Sequence, residues 1–197
     1  MSRSRLEAFS DGVIAVIITI MVLSLHPPDG SSLHDLRPLV PKLAVYLLSF
    51  VFVALYWNNH HHLMQVVERI NGAALWANAH LLFWLSLIPV ATAWLGPHLR
   101  ESAPVAVYGA VLLGAAIASA ILVRTLLASH GPASQIARAV GDDAKGKFSL
   151  VAYVAAVAAA PFAPWVSIAI YVAVAITWLV PDRRIERVLS AEAGDRE

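Results

Sequence analysis

The sequence contains no cysteine among its 197 residues. Disulfide bonds, thiolate metal sites and cysteine nucleophiles are therefore excluded. Charge is also scarce, because only 14% of the residues are Asp, Glu, Lys or Arg, and the formal net charge is +1. A nucleic-acid-binding module would cluster its Lys and Arg residues on one face. Here they lie between apolar blocks, so we expect no nucleic-acid partner.

Apolar residues are abundant instead, at 59% of the chain, against about 45–50% in a soluble domain. They form long runs, and a membrane-spanning helix needs roughly 20 mostly apolar residues. The last block, residues 148–180, is too long for one span, and Pro161 and Pro164 divide it. We therefore predict an all-α membrane protein, a single transmembrane domain over residues 1–197 in the lipid bilayer. Its six transmembrane helices are expected at about residues 6–25, 43–67, 72–95, 103–129, 148–160 and 165–180.

Positive charge predicts the orientation of these helices, since Lys and Arg are enriched in cytoplasmic loops. With the N-terminus in the cytoplasm, eleven of the fourteen Lys and Arg residues fall on the cytoplasmic side. The three on the other side are Arg37, Lys42 and Arg100. Both termini are therefore expected to be cytoplasmic, in a multi-pass protein of the cell (plasma) membrane.

Polar residues mark the start of the first helix, in the stretch Arg5-Leu-Glu-Ala-Phe9-Ser10-Asp11. One interpretation is a helix start, because Ser and Asp cap free backbone amides and favour the helix dipole. The other is that Asp11 lies deep enough in the membrane to need a partner on another helix. Arg5 and Phe9 share one face of this helix, since they are four residues apart. The sequence alone leaves both interpretations open.

A second polar group lies at the end of the second helix, beside two polar residues of the third. It comprises Trp57, Asn58, Asn59, His60, His61, His62, Asn78 and His80. Histidine is a common metal ligand, but three successive helical residues point in different directions, and no HExxH motif is present. We favour a hydrogen-bond network that ties the first three helices together, and we expect no metal and no cofactor.

Thr19 is the one polar residue in the apolar run Val13–Val22. Its hydroxyl either bonds back to a carbonyl one turn earlier, without function, or faces a pore. Helical spacing places the following residues on its stripe: Gly12, Val16 and Leu23, with Ile20 beside them. The opposite stripe is apolar and suits lipid or neighbouring helices: Ile14, Ile18, Met21 and Leu25. Spacing alone does not decide between pore and packing.

The motif from Arg5 to Asp11, followed by an apolar helix that contains Thr19, resembles the RxxxFSD signature of a known family. That family is the lysosomal potassium channel family, transmembrane protein 175, in its single-repeat bacterial form. The stretches Trp57-Asn-Asn-His60-His61 and Leu87-Ile88-Pro89 resemble its second and third helices. Two positions depart from the family pattern. Val16 stands where a bulkier Ile or Leu is frequent, and Val90-Ala91-Thr92 follows Pro89 in place of Phe-Pro-Thr.

The resemblance implies a homotetramer of six-helix subunits whose first helices line a central, potassium-permeable pore. It assigns Val16 to a hydrophobic constriction, Thr19 to a polar ring that binds the ion, and Leu23 to a further apolar layer. Gly12 and Ile20 would be further pore-lining residues. Arg5, Ser10 and Asp11 would be structural, tying the first helix to its neighbours.

Three other functions remain to be weighed against a channel. A proton-coupled secondary transporter would use His60–His62 and Asp11 as a relay, although inverted repeats and helices broken at the midplane are not evident. A membrane enzyme would need a nucleophile with its base, or clustered metal ligands, so we expect no enzymatic activity. A subunit without transport activity of its own is the third alternative.

Overall fold

The computed structural model describes residues 2–131, 134–141 and 143–179, and most of these residues are helical. No strand occurs within these ranges, so the predicted all-α class is confirmed. The α-helices are α1 (Arg3–Leu23), α2 (Val40–Val66), α3 (Gly72–Ser86), α4 (Ile88–Leu95), α5 (Ser102–His130), α6 (Gln135–Val140), α7 (Ala144–Ala159) and α8 (Pro164–Leu179). A 3-10 helix, Leu33–Leu39, precedes α2 directly.

Four helical segments are long and apolar enough to cross a membrane. They are Arg3–Leu23, Leu33–Val66, Gly72–Leu95 and Ser102–His130. Pro164–Leu179 is a shorter apolar helix, and α7 is also short, at 16 residues. Of the two prolines that were expected to divide the last apolar block, Pro161 lies between these helices and Pro164 begins α8. The predicted cytoplasmic tail lies outside the described residues, as does Val180 at the expected end of the last helix.

The predicted third span is divided at Leu87 into α3 and α4. Pro89 occupies the second position of α4, where its missing amide hydrogen costs no intrahelical bond. At the end of α3, the amide of Leu87 donates to the carbonyl of Trp84, three residues earlier, at 3.2 Å. This is the local disturbance that a proline produces in a helix, and Gly72–Leu95 remains one apolar segment of 24 residues.

The connection between α1 and α2 is ordered by side-chain capping of the 3-10 helix. The Ser32 amide and hydroxyl both donate to Asp35 Oδ2, at 2.9 and 2.8 Å. The bond from the Ser32 backbone, followed by the bond from its side chain, lowers the pKa of the Asp35 carboxyl from its usual value. A charged carboxylate at this position therefore holds the start of the 3-10 helix.

The helix α5 is the centre of the subunit, since α3, α4, α7 and α8 all pack against it. Two of its glycines permit the close approach of aromatic rings. A side chain at Gly114 would meet the ring of Trp84, and one at Gly109 would meet the hydroxyl of Tyr171. Small residues at such contacts let helices approach closely in lipid, where apolar burial alone supplies no driving force.

A buried chain of three hydroxyl groups joins the helices α2, α4 and α5. The Thr92 hydroxyl of α4 lies 2.7 Å from the Ser49 hydroxyl of α2, which lies 3.0 Å from the hydroxyl of Tyr108 in α5. All three residues are buried. Because buried polar groups are costly unless they are paired, this chain specifies how α2, α4 and α5 meet.

Candidate pore helix and its support

One side of α1 packs against α2, α3 and α4. The buried residues of α1 recur at helical spacing: Leu6, Ser10, Ile14, Ile17 and Met21. Ile14 and Met21 belong to the stripe that was expected to suit lipid or neighbouring helices. Their burial shows that this stripe contacts the rest of the subunit.

The other side of α1 faces away from the subunit. It carries all five residues predicted to line a pore: Gly12, Val16, Thr19, Ile20 and Leu23, each of them exposed. The apolar members are strongly so, with Val16 56% and Leu23 72% exposed. A membrane helix with one face packed and one free presents that free face to lipid, to another subunit or to a pore.

The Thr19 hydroxyl donates its hydrogen to the Ala15 carbonyl at 2.8 Å. This is the back-bonding that the sequence left as one alternative. The lone pairs of the hydroxyl oxygen remain available to accept a hydrogen bond or to coordinate a cation.

At about 1.5 Å of rise per residue, Thr19 lies roughly 4.5 Å beyond Val16 and roughly 6 Å before Leu23 along the axis of α1. An oxygen layer therefore lies between two apolar layers.

A buried hydrogen-bond chain holds the start of α1 to α2 and α3. The Asn78 amide donates from Nδ2 to the Ser10 hydroxyl at 3.0 Å. Its Oδ1 lies 2.8 Å from His60 Nε2, so Oδ1 accepts and the histidine carries its proton on Nε2. Ser10 in turn donates to the Leu6 carbonyl at 2.9 Å. The structure thus brings together three residues, one on each of the first three helices.

A second set of contacts joins α1 to the polar end of α2. Trp57 donates from Nε1 to Asp11 Oδ1 at 2.9 Å, which supplies the partner that an acid at this depth requires. His61 Nδ1 lies 3.0 Å from Glu7 Oε1, and the His61 ring stacks on Trp57 with 5.8 Å between ring centroids. Gln65 Nε2 lies 3.0 Å from the other ring nitrogen of His61, which fixes the orientation of the imidazole.

Several residues of the predicted network take no part in these hydrogen bonds: Arg5, Phe9, Asn58, Asn59, His62 and His80. Arg5 and Asn58 are exposed and make no hydrogen bond or ion pair with any described residue. Phe9 is 57% exposed. His80 accepts a bond from Trp84 Nε1 of its own helix at 3.0 Å. Residues within one turn of a network member can lie on another face of the helix, so these side chains are directed away from the hydrogen bonds of the network within the subunit.

Two residues that the sequence analysis did not single out take part in place of Arg5. Glu7 is the partner of His61, and the Arg3 guanidinium donates to the backbone carbonyls of Gln65 and Val67, both at 3.2 Å. Arg3, Glu7 and Asp11 are spaced four residues apart, so one face of α1 carries them all. That periodicity was the signal that could have identified them.

The three consecutive histidines of α2 diverge in the structure. His60 contacts Asn78 of α3, while His61 contacts Glu7 of α1. Within the described ranges, no group of three or more His, Asp or Glu residues is arranged to hold a metal ion. The polar end of α2 is built as a connection between helices.

Comparison with known sequences gives a family match for the part of the chain just described. The sequence profile of the endosomal/lysosomal potassium channel TMEM175 matches residues 5–89. This range holds all of the α1–α3 network apart from Arg3, together with the exposed stripe of α1.

Individual relatives extend the match to the whole chain. A potassium channel of Chryseobacterium sp. (strain P1-3) is 49% identical over 189 residues, which cover 96% of this chain and 98% of that protein. The crystal structure of a lysosomal potassium-selective channel TMEM175 homolog from Chamaesiphon minutus is similar with a TM-score of 0.80 and 27% identity, covering 90% of this chain and 96% of that one. The zebrafish endosomal/lysosomal proton channel TMEM175 is 28% identical over 66% of this chain but only 25% of its own length.

Proposed function

This chain belongs to the TMEM175 family of potassium channels, and we propose that it forms a passive, potassium-permeable pore lined by α1. It is a multi-pass membrane protein of an ion-channel family and not an enzyme. The observation that carries the proposal is the two-sided nature of α1. Its inner side is fixed to the subunit by apolar packing and by the Ser10–Asn78–His60 chain, while the side carrying Thr19 is left free.

The proposed assembly is a homotetramer. A single subunit offers one exposed stripe and cannot enclose a channel, so several copies must place their α1 helices around a common axis. A closed ring built from one repeated contact satisfies this requirement. In our proposal, six helical segments of each subunit cross the plasma membrane, with both termini in the cytoplasm. The short α7 and α8 provide the last two crossings.

In this ring, Val16 and Leu23 form two apolar layers. A narrow apolar constriction closes a pore to ions by excluding water, so conduction requires an outward displacement of α1. The valine at position 16 is shorter than leucine or isoleucine, which favours a constriction that opens with a small displacement. The tie from Trp57 to Asp11 would set the resting position of the helix.

The Thr19 ring would supply the ion-binding layer. Four hydroxyl oxygens, each with its hydrogen directed to Ala15, would replace part of the hydration shell of a potassium ion. Since hydroxyls form only one such layer, we expect modest discrimination between potassium and sodium.

The test is potassium flux in liposomes reconstituted with the purified protein. Thr125 provides a matched control, since its hydroxyl makes the same back-bond, to Ile121 at 2.8 Å, on α5. We expect Thr19→Ala to change the potassium-to-sodium flux ratio, Val16→Ala to raise the resting flux, and Thr125→Ala to change neither. Equal behaviour of all three variants would contradict the assignment of α1 to the pore.

The same liposomes distinguish a channel from a proton-coupled transporter. The zebrafish relative is named as a proton channel, and proton-coupled transport through a relay of His60–His62 and Asp11 is the alternative function. We expect potassium to move down its own gradient with no pH difference imposed. Flux that requires a pH difference, and that His61→Gln abolishes, would favour the transporter.

A further inference from the structure

A cavity of about 80 Å³ lies between α2, α5, α7 and α8, and α1 contributes no residue to it. Phe52 and Leu55 of α2 and Leu150 of α7 form an apolar part of its wall. On the α5 side the wall consists of small residues, among them Ser119. The cavity is therefore separate from the exposed stripe proposed to line the pore.

Polar groups without partners line this cavity. Tyr56, Asn59 and Tyr153 all belong to its wall, and none of their side chains makes a hydrogen bond to a described residue. Tyr153 is only 2% exposed, whereas Tyr56 and Asn59 are half-buried. Because buried polar groups are almost always bonded to protein or to ordered water, the Tyr153 hydroxyl calls for an occupant with hydrogen-bonding capacity in this space.

The charged groups near the cavity are already engaged. The Asp143 carboxylate accepts a bond from the Gly146 amide at 3.2 Å through Oδ1. The Lys145 ammonium lies 5.9 Å from the centroid of the Trp178 ring. Among the described residues of the wall there is no Lys or Arg, and Asp143 is acidic, so an anionic ligand would meet only a like charge and its burial would be costly.

Size restricts the occupant further. A volume of about 80 Å³ corresponds to roughly two or three waters at about 30 Å³ each, and it is about half of the 150 Å³ that accommodates benzene.

We propose that the cavity is a binding site for small uncharged amphiphiles, the size of a short-chain alcohol or carboxamide. The hydroxyl or amide of the ligand would bond to Asn59 and Tyr153 in place of water. Its apolar end would contact Phe52 and Leu55.

The cavity lies beside residues that hold α1 in place, so a ligand bound there is positioned to influence that helix. This part of the proposal depends on the proposed function. Tyr56 and Asn59 lie in the same helical turn as Trp57 and His60. The latter two residues hold α1 through Asp11 and Asn78. A ligand that favours one position of this turn would favour the matching position of α1, to the extent that it binds the two positions unequally.

Binding can be tested without any flux measurement. Crystals of the full chain are soaked in 2-bromoethanol, and the bromine is located by its anomalous scattering. We expect a bromine peak in the cavity of the wild type, and a weaker peak after competition with excess 1-propanol. Ser119→Leu should fill the cavity and abolish the peak. Ala110→Leu, at an exposed position of the same helix, should retain it.

Tyr153→Phe provides a second test that does not depend on the folding of Ser119→Leu, because it removes only a hydroxyl group. We expect occupancy to require an about fivefold higher 2-bromoethanol concentration, as for the loss of one hydrogen bond. Absence of bromine from the wild-type cavity, or a peak that persists in Ser119→Leu, would overturn the proposal.

The link to α1 is tested in liposomes with 1-propanol. We expect the alcohol to change potassium flux at least twofold in the wild type and in Ala110→Leu, but not in Ser119→Leu. Bromine in the cavity with equal flux responses in all three proteins would overturn the link and leave the binding site standing. Absence of flux under every condition, with bromine bound, would instead contradict the proposed channel function.

Discussion

At the scale of single residues, the start of α1 depends on side chains that pair with particular residues of α2 and α3. Asn78 donates to Ser10 and accepts from His60, so its amide uses both of its ends between helices. Asn58 of α2 has the same side chain as Asn78, yet it is exposed and makes no hydrogen bond to a described residue. Residue type alone does not distinguish these asparagines; the difference lies in the face of the helix.

The contrast leads to a prediction for Asn78→Ala. The substitution leaves the buried His60 Nε2 without its acceptor, which costs about 1–3 kcal/mol. Asn58→Ala should be neutral to within about 0.5 kcal/mol, as for most exposed substitutions. Unfolding by increasing SDS in mixed micelles measures both. Equal stability of the two variants would mean that the network does not hold α1.

Glycines provide a second prediction at this scale. A methyl group at Gly114 would meet the Trp84 ring, whereas one at Gly12 has no atom within 4 Å in the subunit. We expect Gly114→Ala to destabilise the fold by about 1–3 kcal/mol through overpacking. Gly12→Ala should leave the fold intact or stabilise α1 by up to about 1 kcal/mol.

The measurement for this pair combines unfolding with flux. If Gly12 lines the pore, Gly12→Ala changes the potassium flux while stability is kept. The opposite result, a stability loss at Gly12 and none at Gly114, would contradict the packing described for α5 and α1.

At the scale of the helices, the sequence was most informative where periodicity and burial coincide. The two sides of α1 could be separated by counting, because a 3.6-residue repeat divides apolar from mixed positions without any knowledge of the partner. The chain of hydroxyls through Ser49, Thr92 and Tyr108 could not be foreseen. Its members are distant in sequence, and Ser49 and Thr92 also bond to their own backbone, as isolated hydroxyls in helices commonly do.

The division of the third span shows the same limit. Pro89 marks the part of the span where the helix is disturbed, but the sequence does not give the direction in which α4 leaves the break at Leu87. That direction places the Thr92 hydroxyl of α4 within 2.7 Å of the Ser49 hydroxyl of α2, a residue distant in the sequence.

The hydroxyl chain yields a prediction for the packing of these helices. Thr92→Val keeps the shape of the side chain and removes the bond to Ser49, so we expect a loss of about 1 kcal/mol in stability. Thr125→Val on α5, where the hydroxyl is exposed and bonds only to its own helix, should have little effect. Unfolding in SDS mixtures compares the stabilities of the two variants. A larger loss of stability for Thr125→Val would refute the role of the buried hydroxyl groups.

The 3-10 helix before α2 carries a pH-dependent prediction. The hydrogen bonds from Ser32 lower the pKa of Asp35 below its unfolded value of 3.8. The capping bonds therefore contribute fully above that value and are lost as the pH falls through the lower, folded pKa. Hydrogen exchange of the Ser32 and Asp35 amides should accelerate, relative to the intrinsic rates, only at pH below about 3.8. In Asp35→Asn that acid transition should be absent, and a transition that persists there would assign it to another group.

At the scale of the whole molecule, our proposal assigns the contact between subunits to the free side of α1. Its exposed apolar residues alternate with Gly12 and Thr19 in a pattern that lipid does not require, because lipid-facing helices need only be apolar. A shared axis gives each layer a function, since copies of one residue then meet at one depth. The assembly is therefore best examined with a probe that reports proximity between identical residues.

The absence of cysteine from the chain makes that probe simple to introduce. Leu23→Cys places one thiol on the proposed pore axis, where copies from neighbouring subunits approach each other, whereas Phe162→Cys places one at a strongly exposed position between α7 and α8. Because a disulfide requires Cα atoms within about 7 Å, a short bismaleimide is used together with an oxidant. We expect Leu23→Cys to give a dimer band on a denaturing gel and Phe162→Cys to remain monomeric. If both variants stay monomeric, or if only Phe162→Cys is cross-linked, the subunits do not meet along α1, and the exposed stripe belongs to the lipid.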